Sequence, residues 1–387
     1  MAGWQTIKLS DVVRTNVSTY SLSDNWEFVN YLDTGNIVAN EIALIQRIEL
    51  AQGEKLPSRA RRKVEIGDII YSTVRPNQLH YGFIDNIPEN FLVSTGFAVL
   101  HPEKGKIDAK FLYYLLVQND ITEKLQAIAE QSTSTYPSIK PSDIEDLDFI
   151  VPEIKAQRKI SNILSAIDKK IELNTQINHN LEAQAQAIFK SWFVDFEPFQ
   201  NGKFIDSELC SIPEGWRAGT LKEMLDIRYG KDHKKLSAGT IPVYGSGGLM
   251  RLADKALYSG ESVLIPRKGT LNNVMRVSGD FWTVDTMFYS VPKCKGAIKF
   301  AFHVLRNMDL ASMNSGSAVP SMTTDILNSI DIVVPPESVL ASFEETTSAL
   351  WNLDEANLRE SNRLASLRDA LLPKLMSGEI DVSEVEV

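Results

Sequence analysis

Cysteine is almost missing: the 387 residues hold only Cys210 and Cys294, and neither lies in a CxxC. A disulfide scaffold and a cysteine-built metal site are therefore excluded, and a reducing compartment fits. No apolar run approaches the roughly 20 residues needed to cross a bilayer. The opening Met1-Ala2-Gly3-Trp4-Gln5 has no signal-like apolar stretch. A cytoplasmic chain with no membrane partner is expected. Histidine is also scarce, and the five present form neither HExxH nor an i,i+4 pair. No GxxxxGK[ST] occurs. Gly245-Ser246-Gly247-Gly248 lacks the following Lys and reads as a turn. The Asp/Asn-Pro-Pro-Phe/Tyr motif of amino-methyltransferases is absent, since Pro335-Pro336 leads into Glu337. Asp143 with Glu153-Ile154-Lys155 has a nuclease-like D…ExK order, a spacing common by chance. No catalytic residue, metal ligand or cofactor is assigned.

What is present is ordinary for a folded chain of two to three domains: 43% hydrophobic and 23% charged residues. The net charge of −10 argues on its face against a polyanionic partner. Its distribution does not. Residues 1–152 carry 14 basic and 20 acidic residues, and 337–387 carry 4 and 11; residues 213–336 carry 15 and 11. Local basic clusters decide whether a phosphate backbone can be held.

The most informative feature is a repeat. Gly3-Trp4 with Leu9 recurs as Gly215-Trp216 with Leu221, at an offset of 212. Residues 91–97 recur loosely as 281–288. Ser134-Thr135-Tyr136-Pro137-Ser138 matches Ser317-Ala318-Val319-Pro320-Ser321, and Asp148-Phe149-Ile150-Val151-Pro152 matches Asp331-Ile332-Val333-Val334-Pro335, both at an offset of 183. The first half thus holds about 29 extra residues within its first 130 or so. Each half runs in the same order: short strands between Gly and Pro punctuation, a helix, a Ser/Thr-rich loop, a short strand and a long helix.

From Lys155 to Trp192 there is neither Pro nor Gly. Ile160, Leu164, Ile167, Ile171, Asn174, Asn178, Leu181, Ala185, Ile188 and Trp192 step by 4 and 3, which is a heptad seam. A second seam over residues 337–372 takes Phe343, Leu350, Leu353, Asn357, Leu364, Leu367 and Leu371. Such helices are about 55 Å long at 1.5 Å per residue. Each leaves its own globular module, so seams that pair must run antiparallel. The fold class expected is α+β: two pseudo-twofold-related mixed modules joined by two long antiparallel coiled-coil helices.

Binding chemistry recurs in both halves. Arg59, Arg61, Arg62 and Lys63 place four cations in five residues; Arg75, Asn77, Gln78, His80 and Tyr81 follow in a Pro-bounded loop. In the second half, Lys231, Lys234 and Lys235, then Arg267, Lys268, Asn272 and Asn273, look alike in kind. Tyr244 and Ser246 lie in the glycine-rich turn. Ser134, Tyr136 and Ser317 sit in the hydroxyl-rich loops. Arg grips guanine O6/N7, Asn or Gln grips adenine N6/N7, and Lys neutralises phosphate. All of these are expected to contact double-stranded DNA.

The duplicated frame resembles the DNA-specificity subunit of Type I restriction–modification systems. The resemblance rests on residues 189–198 (FKSWFVDFEP), 207–216 (SELCSIPEGW), 242–248 (PVYGSGG) and 367–380 (LRDALLPKLMSGEI), with Cys210 where the family usually has Gly. It implies target-recognition domains at residues 1–152 and 213–336, spacer helices at 153–200 and 337–376, a linker at 201–212 and an acidic tail at 377–387. It also implies two modification (methyltransferase) subunits as partners and, where present, restriction subunits that translocate and cut DNA. Methylation and ATP-dependent cleavage would belong to those partners. A scaffold subunit without DNA contact is the alternative.

Overall fold

Two helices of 40 residues each, Ile154–Phe193 and Glu337–Met376, dominate the computed structural model, which describes residues 3–132, 136–313 and 321–385. The first ends at Phe193, short of residue 200. Phe196 adopts a left-handed backbone (φ 53°), and Pro198 follows with no N–H to offer. Of the ten positions read as its seam, Ile160, Leu164, Ile167, Asn174, Leu181 and Ala185 are buried and Ile171, Asn178, Ile188 and Trp192 half-buried; near the C-terminal end the buried positions shift by one, to Phe189 and Phe193. The second seam departs from the apolar pattern. Leu353 and Leu367 are 47% and 46% exposed, whereas Phe343, Thr347, Trp351 and Asn357 are buried. Arg368, not Leu367, faces the first helix, with Nη1 2.9 Å from Asp168 Oδ1. A paired charge can hold a seam position that a hydrophobic pattern assigns to its neighbour.

The chain divides into two units, Met1–Asn174 with Arg359–Val387, and Thr175–Leu358, so each long helix gives one half to each unit. In the first unit Asp168 meets Arg368, Lys170 meets Glu360 at 3.1 Å, and Asn174 donates to Ser361 Oγ at 3.2 Å. In the second, Asn357 Nδ2 donates to Asn178 Oδ1 at 2.8 Å, Asn178 Nδ2 donates to the Asp354 carbonyl at 3.0 Å, and Phe189 packs edge-on against Phe343. From Asp168–Arg368 to Asn174–Ser361 in the first unit, and from Asn178–Asn357 to Phe189–Phe343 in the second, numbers rise along one helix as they fall along the other, so the packing is antiparallel in both units.

Each unit carries the same frame of strands. In the first, a four-stranded sheet runs Val13–Thr15, Phe97–Pro102, Ile69–Ser72, Tyr81–Phe83, and another runs Gln46–Ile48, Val29–Leu32, Phe91–Ser94, Ala60–Arg62. In the second, the matching sheets are Leu225–Tyr229, Met287–Pro292, Ser262–Pro266, Met275–Val277 and Gly248–Ala253, Ile241–Gly245, Asp280–Thr283, Tyr258–Ser259. Even the one parallel pair recurs, Val29–Leu32 with Phe91–Ser94 and Ile241–Gly245 with Asp280–Thr283. The strand opening each module pairs antiparallel with the strand before the long helix: Gln5–Lys8 with Asp148–Val151, and Arg217–Thr220 with Asp331–Val334.

Register fixes which residues correspond. Val13 pairs with Pro102 as Leu225 pairs with Pro292, and Phe97 pairs with Ser72 as Met287 pairs with Pro266. The offset between halves is therefore 212 at the first of these strands, 194 at the central strand and 190 at its neighbour. The extra length of the first half lies in its connections, including residues 33–45 and the helix Asn119–Glu130.

Two further segments are ordered. The expected linker holds a hairpin, Phe204–Asp206 with Ser211–Pro213. The acidic tail packs on the first module: Val382 is buried, and Lys159 Nζ donates to the carbonyls of Val382 and Ser383 at 3.3 and 2.6 Å. Its apolar positions supply that anchorage despite its net negative charge.

Candidate nucleic-acid interface

In the first module the central strand Ile69–Ser72 is fully buried, and the chain turns as it leaves the core. Thr73 donates to the Gly96 carbonyl through N–H (2.8 Å) and Oγ1 (2.9 Å), and its own carbonyl accepts from Ile139 N–H at 2.8 Å. Arg75 N–H donates to the Pro137 carbonyl at 2.9 Å, and Thr95 N–H donates to the Arg59 carbonyl at 2.8 Å. The Arg59 backbone is thus tied to Thr95, and Thr73, two residues before Arg75, is tied to Gly96. The Arg75 guanidinium carbon lies 4.8 Å from the centroid of the Tyr136 ring, which is 57% exposed.

The rest of the expected set is dispersed. Arg61 is exposed and its Nε donates to the Ser58 carbonyl at 3.3 Å. Arg62 turns partly inward, where burial lowers its pKa and Nε finds no partner among the described residues. Lys63 pairs with Asp24 Oδ1 at 2.6 Å and lies 5.2 Å from the Trp26 ring. The hydrogen bonds of Asp24 to Lys63 and to Ser21 N–H hold its carboxyl below the usual range. His80 Nδ1 lies 2.5 Å from the Ile37 carbonyl and Nε2 3.2 Å from Gln78 Oε1, so these two side chains brace the loop. Asn77 is exposed, its backbone N–H held by Gln126 Oε1 at 3.2 Å. Tyr81 corrects the reading of that loop: its ring is buried against Tyr71, with centroids 5.6 Å apart, and burial raises its phenol pKa. In a strand, alternate side chains face the core, and Tyr81 falls on the inward register.

In the second module the corresponding end is better assembled. The four glycine-turn residues close a hairpin, with Gly245 paired to Gly248. Asn273 Nδ2 donates to the Ser246 carbonyl at 2.8 Å, tying that turn to the loop after Ser262–Pro266. Arg267 N–H donates to the Thr286 carbonyl at 2.8 Å, its Nη1 to the Asp285 carbonyl at 3.3 Å, and its guanidinium lies 5.3 Å from the Tyr229 ring. Lys268 bridges to Ser321, and Lys231 N–H donates to the Thr283 carbonyl at 2.9 Å. Lys231, Lys234, Lys235 and Lys268 are all exposed. Asn272, expected to be free to read a base, is spent on structure: Nδ2 donates to Asp309 Oδ1 at 3.0 Å and Oδ1 accepts from Ala311 N–H at 2.9 Å. Tyr244 is half-buried, and burial raises its pKa. Ser134 and Ser317 lie outside the described residues.

Tyr229 was not among the residues singled out from the sequence, although it is half-exposed beneath Arg267 and two residues before Lys231. An aromatic adjoining a basic run was the available signal. Asp143, the first member of the nuclease-like order, is a capping residue: Oδ2 accepts the Lys140 N–H at 2.6 Å at the start of Pro141–Glu145. Among the described residues no group of three or more His, Cys, Asp or Glu is placed to hold a metal ion, and no helix is long and apolar enough to cross a membrane.

Residues 1–183 and 213–345 match the family model described as Type I restriction modification DNA specificity domain. The Type I restriction enzyme HindI specificity subunit of Haemophilus influenzae is 26% identical, the alignment covering 98% of this chain and 100% of that protein. The MjaIX specificity subunit of Methanocaldococcus jannaschii is also 26% identical, over 90% of this chain and 87% of that one. Among solved structures, the Type I restriction–modification S subunit from M. genitalium superposes with a TM-score of 0.58 at 17% identity, covering 96% of both chains.

Proposed function

Because the chain belongs to the Type I restriction–modification DNA specificity family, whose specificity subunits are non-catalytic, we propose that its two modules, residues 1–152 and 213–336, each read one half of a bipartite, asymmetric DNA site. The observation that carries this reading is the repeated strand frame with unlike connecting loops: residues 33–45 in one module stand where a two-residue turn stands in the other. One frame presented twice suits one task done twice, and unlike loops suit two different sequences. Base-reading and phosphate-holding roles fall to the loops gathered at one end of each module. In the first these are Arg59, Arg75 and Tyr136; in the second, Arg267, Lys268, Ser246 and Lys231, with Lys234 and Lys235 beside them.

The long helices set the unread gap between half-sites and dock two modification subunits. Leu173, Ile177, Leu353, Leu358 and Leu367 are exposed apolar residues on those helices and suit a protein partner. Methyl transfer, and cleavage where a restriction subunit is present, occur in the partners. Base-resolved methylation mapping tests the reading. DNA from cells carrying the chain and its modification subunits should show one split, asymmetric motif. Exchanging residues 1–152 for those of a relative should change one half-site only; an unchanged motif, or changes in both halves, rules the reading out.

A further inference from the structure

The two modules place different residues at one distinctive backbone position. Val74 bridges to Ser138, and Lys268 bridges to Ser321. Ile139 N–H donates to the Thr73 carbonyl, and Met322 N–H to the Arg267 carbonyl, each at 2.8 Å. Thr73 therefore corresponds to Arg267, and Arg75 corresponds to Gly269. Gly269 has φ +85°, and Arg75 has φ 49° with ψ 69°. Both are left-handed, a conformation that glycine adopts freely and that costs an L-residue with a Cβ.

The other left-handed residues that are not glycine explain themselves. Asn16, Asn25, Asn40 and Asn90 are of the type that tolerates this region. Ala39 stands with Asn40 in the two-residue turn between Ile37–Val38 and Glu41–Ile42, a hairpin turn that requires both central residues to be left-handed. Leu79 and Phe196 pack their side chains in apolar clusters. Arg75 has no such reason. Its guanidinium makes no hydrogen bond or ion pair among the described residues, and it lies 4.8 Å from the centroid of the exposed Tyr136 ring. In the second module a Cβ on Gly269 would lie 2.8 Å from Ser246 Oγ of the hairpin turn, so that hydroxyl would have to turn aside to admit a side chain. In the first module residues 33–45 replace that turn, and the position is filled.

A strained backbone is retained when what it presents is used. Here it presents a planar fork of five donors over an aromatic ring, with no hydrogen bond or ion pair among the described residues. We propose that Arg75 is the specificity-determining residue of the first module, reading the O6/N7 edge of a guanine in the major groove, with Tyr136 as its positioning residue. This rests on the proposed reading of that module as a DNA-recognition domain. Arg267 leaves the frame two positions earlier, so the two modules aim their arginines differently and their half-sites need not match.

Arg75→Gly is the decisive variant, because it installs the residue that the other module uses at this place. In complex with the modification subunits, Arg75→Gly should melt at the wild-type temperature or above. One guanine position of one half-site should become degenerate, with preference falling about 5- to 150-fold, and the other half-site should be unchanged. Arg75→Lys should keep affinity and salt dependence without restoring that preference, since a point charge cannot make the bidentate contact. Tyr136→Leu should weaken the preference and Tyr136→Phe restore it. An unchanged motif in Arg75→Gly overturns the inference, and if binding to all sequences also weakens alike, the contact is to phosphate; full specificity in Arg75→Lys overturns the bidentate reading. If exchanging all of residues 1–152 also leaves the motif unchanged, it is the proposed function that fails; if only Arg75→Gly is silent, the inference alone fails.

Discussion

The Arg276 guanidinium lies 4.3 Å from the centroid of the Trp351 ring, joining the edge strand Met275–Val277 to the second long helix. Its Nη1 also reaches Glu355 at 3.2 Å and Glu261 at 3.5 Å, and its side chain is only 5% exposed. One cation thus ties a sheet of the second module to its helix through two carboxylates and an aromatic face.

Removing that cation leaves two carboxylates facing each other with their partner gone. Both are partly solvated, which limits the cost. Arg276→Ala should lower the stability of this unit by about 2–4 kcal/mol, and Arg276→Lys should recover part of the loss but not the ring stacking. Urea unfolding followed by tryptophan fluorescence measures both. A change within about 0.5 kcal/mol for Arg276→Ala would show that the junction is held elsewhere.

His303 makes the same unit sensitive to acid. Its ring is fully buried, stacked on Phe189 at 5.1 Å, and Nδ1 lies 2.7 Å from Gln186 Oε1. Burial, with Arg276 nearby, pushes its pKa down from 6.5 to about 4. The native imidazole stays neutral while the unfolded chain takes up a proton below pH 6.5. Stability is therefore full above pH 6.5 and is lost as pH falls toward 4, by about 3 kcal/mol in all. His303→Leu should flatten the dependence of urea midpoints on pH between 7 and 5. An equal slope in both proteins would remove His303 as its source.

The fold was legible wherever one physical signal acted alone. Ile160, Leu164 and Leu181 are buried because an uninterrupted 3–4 spacing on a helix leaves them no other face. Leu353 and Leu367 carry the same signal and are exposed, because Trp351 and the Arg368–Asp168 pair occupy the inner positions. Charge pairing across two helices leaves no local pattern to read. The interface was legible as loops and less so as atoms. Arg267 and Lys231 do lie among the gathered loops, but Tyr81 and Asn272 look identical in sequence to free recognition residues. Strand register turns one inward, and a hydrogen bond to Asp309 consumes the other.

Phosphate holding in the second module should reside in the exposed Lys231, Lys234 and Lys235. In the modification complex, the triple Ala variant should weaken binding to all sequences alike. It should also reduce the slope of log affinity against log salt by about one unit for each lysine that holds a phosphate, leaving the methylated motif intact. Lys63→Ala serves as the contrast, because that ammonium is already paired with Asp24; its salt slope should match wild type. A triple variant with an unaltered slope would move the phosphate-holding role to other residues.

If the paired helices act as a ruler, lengthening them should lengthen the unread gap. The two insertions must face each other to preserve the seam. Asp168 opposite Arg368 and Asn174 opposite Ser361 bracket such a place, so one heptad belongs after Ile171 and another before Leu364. Each adds about 10 Å at 1.5 Å per residue. Duplex DNA rises about 3.4 Å per base pair, so the gap should grow by up to about three base pairs. The half-sites should not change, because no recognition loop is altered. Inserting either heptad alone would slide Asn174 away from Ser361 and should cost stability without yielding a defined longer gap. Methylation mapping of the doubly lengthened protein decides the matter. An unchanged gap at full activity would mean that something other than helix length spaces the half-sites, and an altered half-site would mean that the helices take part in reading them.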